Sequence, residues 1–153
     1  LVSTGALGNR NGEVLSASTL SLTSASLDNQ SGTLIGDGAV QVTTGALNNQ
    51  QGGRLTSADR LDLVAGQVDN RAAGRIASAH ALTASLSGLD QRGGGKLYST
   101  RALTLDLNQG TLNNAGGLIN APGPLVLRNL AQVINQGGEI SSQQAFTLAA
   151  QTG

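Results

Sequence analysis

Apolar positions in this chain return on a beat of about twenty residues. An aliphatic residue opens each beat at Leu7, Leu27, Leu47, Val68, Leu89, Leu112 and Val133, with gaps of 20, 20, 21, 21, 23 and 21 residues. An amide side chain follows two residues later at Asn9, Asn29, Asn49, Asn70, Gln91, Asn114 and Asn135. A second aliphatic column reads Val14, Leu34, Leu55, Ile76, Leu97, Ile119 and Ile140. Two residues beyond it stands a small residue: Ser16, Gly36, Ser57, Ser78, Ser99, Ala121 or Ser142. Each beat closes on a pair two apart, from Leu20/Leu22 through Leu82/Ala84 to Phe146/Leu148. Self-similarity at this period marks a quasi-one-dimensional repeat fold.

The spacing within a beat selects strands. Val40-Gln41-Val42, Leu61-Asp62-Leu63 and Leu103-Thr104-Leu105 alternate with period two, the signature of half-buried strands. No stretch sustains an i, i+3, i+4 pattern, and Gly or Asn interrupts about every ten residues, which would break a helix repeatedly. Three short strands per beat, separated by Gly/Asn corners, predict an all-β, right-handed parallel β-helix of about seven coils of 20–23 residues. At strand spacing the coils would build a rod of roughly 34 Å. A leucine-rich repeat fits less well: its asparagine follows the aliphatic triplet, whereas here Asn follows the first aliphatic and precedes a Gly.

Stacking also explains the residue types. Identical side chains lie above one another, so Leu, Val and Ile fill the interior, and each burial contributes roughly 1.5–3 kcal/mol. The amide column is expected to form a ladder, each side chain donating to one neighbouring coil and accepting from the other. Such a ladder satisfies polar groups at a tight corner, where Asn and Gly also accept positive φ.

Composition narrows the functional classes. Of 153 residues, 22 are Gly and only Tyr98 and Phe146 are aromatic; charged residues make up 12% and the formal net charge is zero. A neutral chain gives no global attraction to nucleic acid or an anionic membrane. Without Cys, disulfides and thiolate metal sites are excluded. The chain also contains no Met and no apolar run long enough to span a membrane. Residues 1–153 therefore read as a single β-helical repeat segment, an internal fragment of a much larger protein.

The pattern L-[DN]-N-x-x-G-x-[LI]-x-S followed by L-x-L resembles the repeats of filamentous haemagglutinins and related two-partner-secreted exoproteins. These include the stalks of contact-dependent growth-inhibition effectors. The resemblance is carried by LDNQSGTLIGDGAVQV, LNNQQGGRLTSADRLDL and LNNAGGLINAPGPLVL, and it covers essentially the whole chain. It implies a secreted, cell-surface protein of a Gram-negative bacterium, exported unfolded through an outer-membrane transporter partner. In that family the repeats serve as rod, with effectors or adhesive patches elsewhere.

Candidate chemistry is sparse. Asp28, Asp69 and Asp90 share a column with Asn48 and Asn113, which favours corner residues bonding their own backbone over a carboxylate row. His80 is the only histidine and no G-x-S-x-G elbow occurs, so catalytic residues, metal ligands and cofactors are none. Gly93 to Lys96 imitates a phosphate loop, but Leu97 stands where Ser or Thr is required. Asn29-Gln30-Ser31 is a formal glycosylation sequon inside the amide column. One constellation stands out: Arg54, Arg75 and Lys96 precede the second aliphatic column on three consecutive beats, and Arg71 and Arg92 share another column. Stacked like charges repel, so nearby acids or an anionic ligand must compensate them. Pro122 and Pro124 remove two N–H donors and predict an open or outward-looped side on the sixth coil.

Two functions follow. The first is a structural stalk and presentation segment whose partners are neighbouring coils. The alternative is an adhesin module binding an acidic host or bacterial surface glycan through Arg54, Arg75, Lys96, Arg71 and Arg92. A polysaccharide-cleaving enzyme ranks third, because no face gathers carboxylates.

Overall fold

The computed structural model describes residues 1–150, which contain strands and corners and no helix. The first coil comprises β1 (Ala6–Gly8), β2 (Glu13–Ser16) and β3 (Leu20–Ser24); the second β4 (Ser26–Asp28), β5 (Thr33–Gly36) and β6 (Val40–Thr44). The third holds β7 (Ala46–Asn48), β8 (Arg54–Ser57) and β9 (Leu61–Val64); the fourth β10 (Gln67–Asp69), β11 (Arg75–Ser78) and β12 (Leu82–Ser85). The fifth begins with β13 (Gly88–Asp90) and β14 (Lys96–Ser99), then enters the long β15 (Leu103–Asn113), which closes it and opens the sixth. Then β16 (Leu118–Ala121), the equally shared β17 (Leu125–Ile134), β18 (Glu139–Ser142) and β19 (Phe146–Ala150) complete about seven turns of a parallel β-solenoid.

Every strand pairing is parallel and joins one coil to the next. The second strands form one seven-stranded sheet, β18-β16-β14-β11-β8-β5-β2; the first and third strands form two ladders that β15 and β17 fuse into one twelve-stranded sheet. Register follows the repeat columns. Leu27 pairs with Leu7 and Leu47, Val68 with Leu47 and Leu89, and Ile76 with Leu55 and Leu97. Because the side-chain period is two, this register turns the aliphatic columns to one side; from Leu20 to Leu130 they form one continuous core, while Val133, Phe146 and Leu148 of the last coil stay exposed.

A further inward column escapes the consensus: Ser24, Thr44, Ala65, Leu86 and Leu107, all buried at the end of the third strand. It changes from polar to apolar along the rod. The Ser24 hydroxyl donates to Thr44 Oγ1 at 3.1 Å, so the polar end is satisfied internally. In the fourth coil Ala84 takes the place of Leu63 while Leu86 takes that of Ala65, so side-chain volume shifts by one inward position. Close packing tolerates such a swap because total volume is kept.

The irregular coils stay closed. The extra residues of the fifth coil do not form an excursion from the sheet: β15 runs through them as a bulge, with Asn108 and Gln109 at positive φ and Leu107 fully buried. The proline-bearing corner does not loop outward either. In other coils the residue at the position of Pro122 donates to the preceding coil, as Ala79 N–H does to Ser57 O and Thr100 N–H to Ser78 O. Pro122 loses only that bond, and the pairing of β14 with β16 stops one residue early, at Tyr98–Asn120. Pro124 sits where Ala81 and Ala102 leave their N–H unused, and its carbonyl still accepts from Leu103 N–H at 3.0 Å.

Candidate functional site on the corner after the first strand

The corner between first and second strands carries the amide column inside and the charged columns outside. Inside, the Asn9 side chain donates to Asn29 Oδ1, Asn29 to Asn49, Asn49 to Asn70, Asn70 to Gln91 Oε1, Gln91 to Asn114 and Asn114 to Asn135. All six bonds measure 2.7–2.9 Å. Each side-chain nitrogen also donates to the backbone carbonyl of the first residue of the next coil's second strand: Thr33, Arg54, Arg75, Lys96, Leu118 and Glu139 in turn. The five central amides are wholly buried, and no buried side-chain polar atom among the described residues lacks a partner. The ladder thus fixes where the following strand begins. Asn29 of the sequon is one of these rungs, so its side chain is closed to glycan attachment.

A glycine ends each corner for a steric reason. A Cβ on Gly74 would lie 2.4 Å from both Asn49 O and Asn70 Oδ1. The corners come in two sizes. At Asn9, Asn29, Asn114 and Asn135 the glycine is three residues on; at Asn49, Asn70 and Gln91 it is four residues on, in Gly53, Gly74 and Gly95. The wide corners hold two successive left-handed residues, Gln51-Gly52, Ala72-Ala73 and Gly93-Gly94, where the first, second, sixth and seventh coils hold one. Gly93 and Gly94 therefore serve backbone geometry rather than phosphate binding, with φ of +74° and +90°.

The Asp/Asn column makes turns. Asp28, Asn48, Asp69, Asp90 and Asn113 each accept, through Oδ1, the N–H two residues on. Asp28 is held below the usual carboxylate range by the Gln30 N–H, which with Arg10 outweighs the effect of burial. Burial of Asp90 opposes ionisation, but bonds from the Arg92 side chain and N–H, with the charge of Arg71, still lower its pKa. The same corner seats two cations: Arg71 chelates Asp69 at 2.8 and 2.9 Å, and Arg92 binds Asp90 at 2.7 Å. Arg71 also lies 3.9 Å from Asp90.

The structure therefore divides the basic residues. Arg71 and Arg92 are neutralised by their own coils. Arg54, Arg75 and Lys96 are brought into direct register, Arg75 pairing with Arg54 on one side and Lys96 on the other. They have no carboxylate partner among the described residues, since Asp59 faces His80 at 3.2 Å and Asp62 faces Arg60 at 3.6 Å. The Arg75 guanidinium lies 6.0 Å from the centre of the Tyr98 ring on the next coil, within reach of a cation–π contact. His80 is exposed, its imidazole facing Asp59 and its carbonyl accepting from the Ser78 and Ser99 hydroxyls, and no cluster of three His, Cys, Asp or Glu that could hold a metal occurs among the described residues. Sequence reading located both basic columns but could not separate them, because the pairing depends on which way the corner turns each side chain.

Fold and corner together define a β-solenoid rod whose interior, among the described residues, leaves no buried side-chain polar atom unpaired and whose outer columns vary from coil to coil. The haemagglutinin repeat profile matches residues 2–65, 60–106 and 99–153, and the chain belongs to that family. Neither the curated proteins nor the solved structures gave a match. The family is structural and adhesin-like in character and implies a secreted or cell-surface exoprotein.

Proposed function

We propose that residues 1–153 are a stalk and presentation segment of a large secreted filamentous adhesin or contact-dependent growth-inhibition exoprotein at a Gram-negative cell surface. The continuous parallel pairing of about seven coils, which absorbs its bulges without opening, carries this reading. Each coil satisfies its strands, its aliphatic columns and its amide against the next, so the fold can be lengthened without altering any single contact. Nothing in this reading requires a catalytic residue. Export unfolded through an outer-membrane transporter partner suits a chain without cysteines whose coils close locally. Antibodies raised against residues 1–153 should label intact cells of the producing organism or capture the protein from its medium. Recovery only from the cytoplasm contradicts the proposal. As a test of the rod itself, removing residues 68–88 joins Gln67 to Leu89 in unchanged register. The shortened chain should fold and lose about 5 Å of length by small-angle scattering.

A further inference from the structure

The unneutralised cation row and the wide corners occupy the same three coils. Glycine stands four residues beyond the ladder amide only in the corners that lead directly into Arg54, Arg75 and Lys96. In the other four coils this outward position holds Glu13, Thr33, Leu118 and Glu139, following corners of the shorter size. Shallow hollows lie beside these corners on the outer surface. One is lined by Gly52, Arg54, Ala73 and Arg75, and a second starts at Gly94, Gly95 and Lys96 and runs past the shorter corners of the next two coils to Glu139. A ledge of small residues thus runs beside three stacked cations whose spacing along the rod is about 4.8 Å.

We propose that this ledge binds an acidic polysaccharide lying along the rod axis, with successive carboxylate or sulfate groups on Arg54, Arg75 and Lys96. Stacked cations at this spacing repel one another, and an extended polyanion of matching rise relieves that repulsion along the whole row. The coil rise is close to the length of one sugar residue in an extended chain. Small ledge residues let the polymer approach the backbone, and the Tyr98 ring lies 6.0 Å from the Arg75 guanidinium, at the edge of cation–π range. The row is bounded: Glu13 lies two coils before Arg54 and Glu139 two coils after Lys96 in the same column. That boundary favours a short anionic segment over a nucleic acid duplex, and the surface offers bases no stack of aromatic platforms. Arg71 and Arg92 take no part, because Asp69 and Asp90 already hold them.

The test measures binding of residues 1–153 to dextran sulfate, polygalacturonate oligomers, neutral dextran and duplex DNA. At least one acidic polysaccharide should bind at low salt and weaken roughly tenfold or more as salt screens the contacts. The variant Arg54→Gln/Arg75→Gln/Lys96→Gln, checked for native circular dichroism, should lose that binding. The variant Arg71→Gln/Arg92→Gln should keep it within about twofold, as expected of charges already paired. Silence of both acidic polymers, survival of binding in the triple variant, equal loss in the double variant, or equally tight DNA binding would each overturn the proposal. None of these results bears on whether the chain is a surface stalk, which rests on where the protein is found.

Discussion

On the inner side of the corner at residues 70–75, Asn70 is fully buried, bonded to the rungs above and below and to the Lys96 carbonyl. On the outer side of the same corner, Arg75 and its register neighbours Arg54 and Lys96 have no acidic partner among the described residues. The inner side repeats the same chemistry on every coil. The outer side passes from Glu13 through Thr33 and three cations to Leu118 and Glu139. Inward side chains answer to the neighbouring coil, where an orphaned polar atom or a void is costly. Outward side chains answer to solvent, where most substitutions cost little. The difference separates residues that make the rod from residues that can give one stretch of it a task.

Several substitutions sharpen that contrast, beginning with the largest effect. Ile76→Ala removes a fully buried side chain between Leu55 and Leu97 and should cost about 2–5 kcal/mol in urea unfolding. The outward Arg75→Gln, one residue earlier, should stay within about 0.5 kcal/mol. Asn70→Ala removes an acceptor of the Asn49 side chain and the donor to Gln91 Oε1 and the Lys96 carbonyl, and should cost about 2–4 kcal/mol at about 1–3 per buried group left short of a partner. A loss no larger than that of Asn135→Ala, at the exposed last rung, would refute the ladder's role. Gly74→Ala forces a Cβ against Asn49 O and Asn70 Oδ1 and should cost about 1–3 kcal/mol. Ala73→Gly, on the outer side with φ of +66°, should instead raise stability by about 0.5–1 kcal/mol, as left-handed backbone suits glycine.

The smallest effect is in acid. Asp28, Asp90 and Asp106 have folded pKa values lowered from the ordinary value; for Asp106, burial is outweighed by bonds from the Asn129 side chain, the Asn108 N–H and Arg128. A lowered carboxylate stabilises the fold fully above its unfolded pKa of about 3.9 and loses that contribution as pH falls through the folded value. Stability should hold from neutral pH to about 5 and decline below about 4. Asp90→Asn should fold normally, as Asn48 and Asn113 do in the same column, and should lessen the decline in a pH series of denaturation midpoints.

The aliphatic columns were legible in the sequence because period-two alternation within a twenty-residue beat has one reading as stacked strands. The amide column was legible because Asn recurs where a corner must bury polar groups. The Ser24 to Leu107 column was not, since its residues run from hydroxyl to methyl to isobutyl and share no chemical type, only a position two beyond the L-x-L pair. The fate of the prolines was misread for a related reason: a missing N–H matters only where other coils use that N–H, and the unused one at Pro124 cannot be seen in a sequence. The split between paired Arg71 and Arg92 and unpaired Arg54, Arg75 and Lys96 lay beyond spacing too. It does leave a trace, because each paired arginine stands two residues after an Asp.

The most direct test of the account is hydrogen–deuterium exchange of the side-chain amides, followed by NMR on residues 1–153. Strong protection is expected for Asn29, Asn49, Asn70, Gln91 and Asn114, and exchange near the solvent rate at Asn135, where no further coil accepts its protons among the described residues. Uniformly fast exchange along the column would show that the amides do not hold the coils together, and the ladder would have to be abandoned as the basis of the rod.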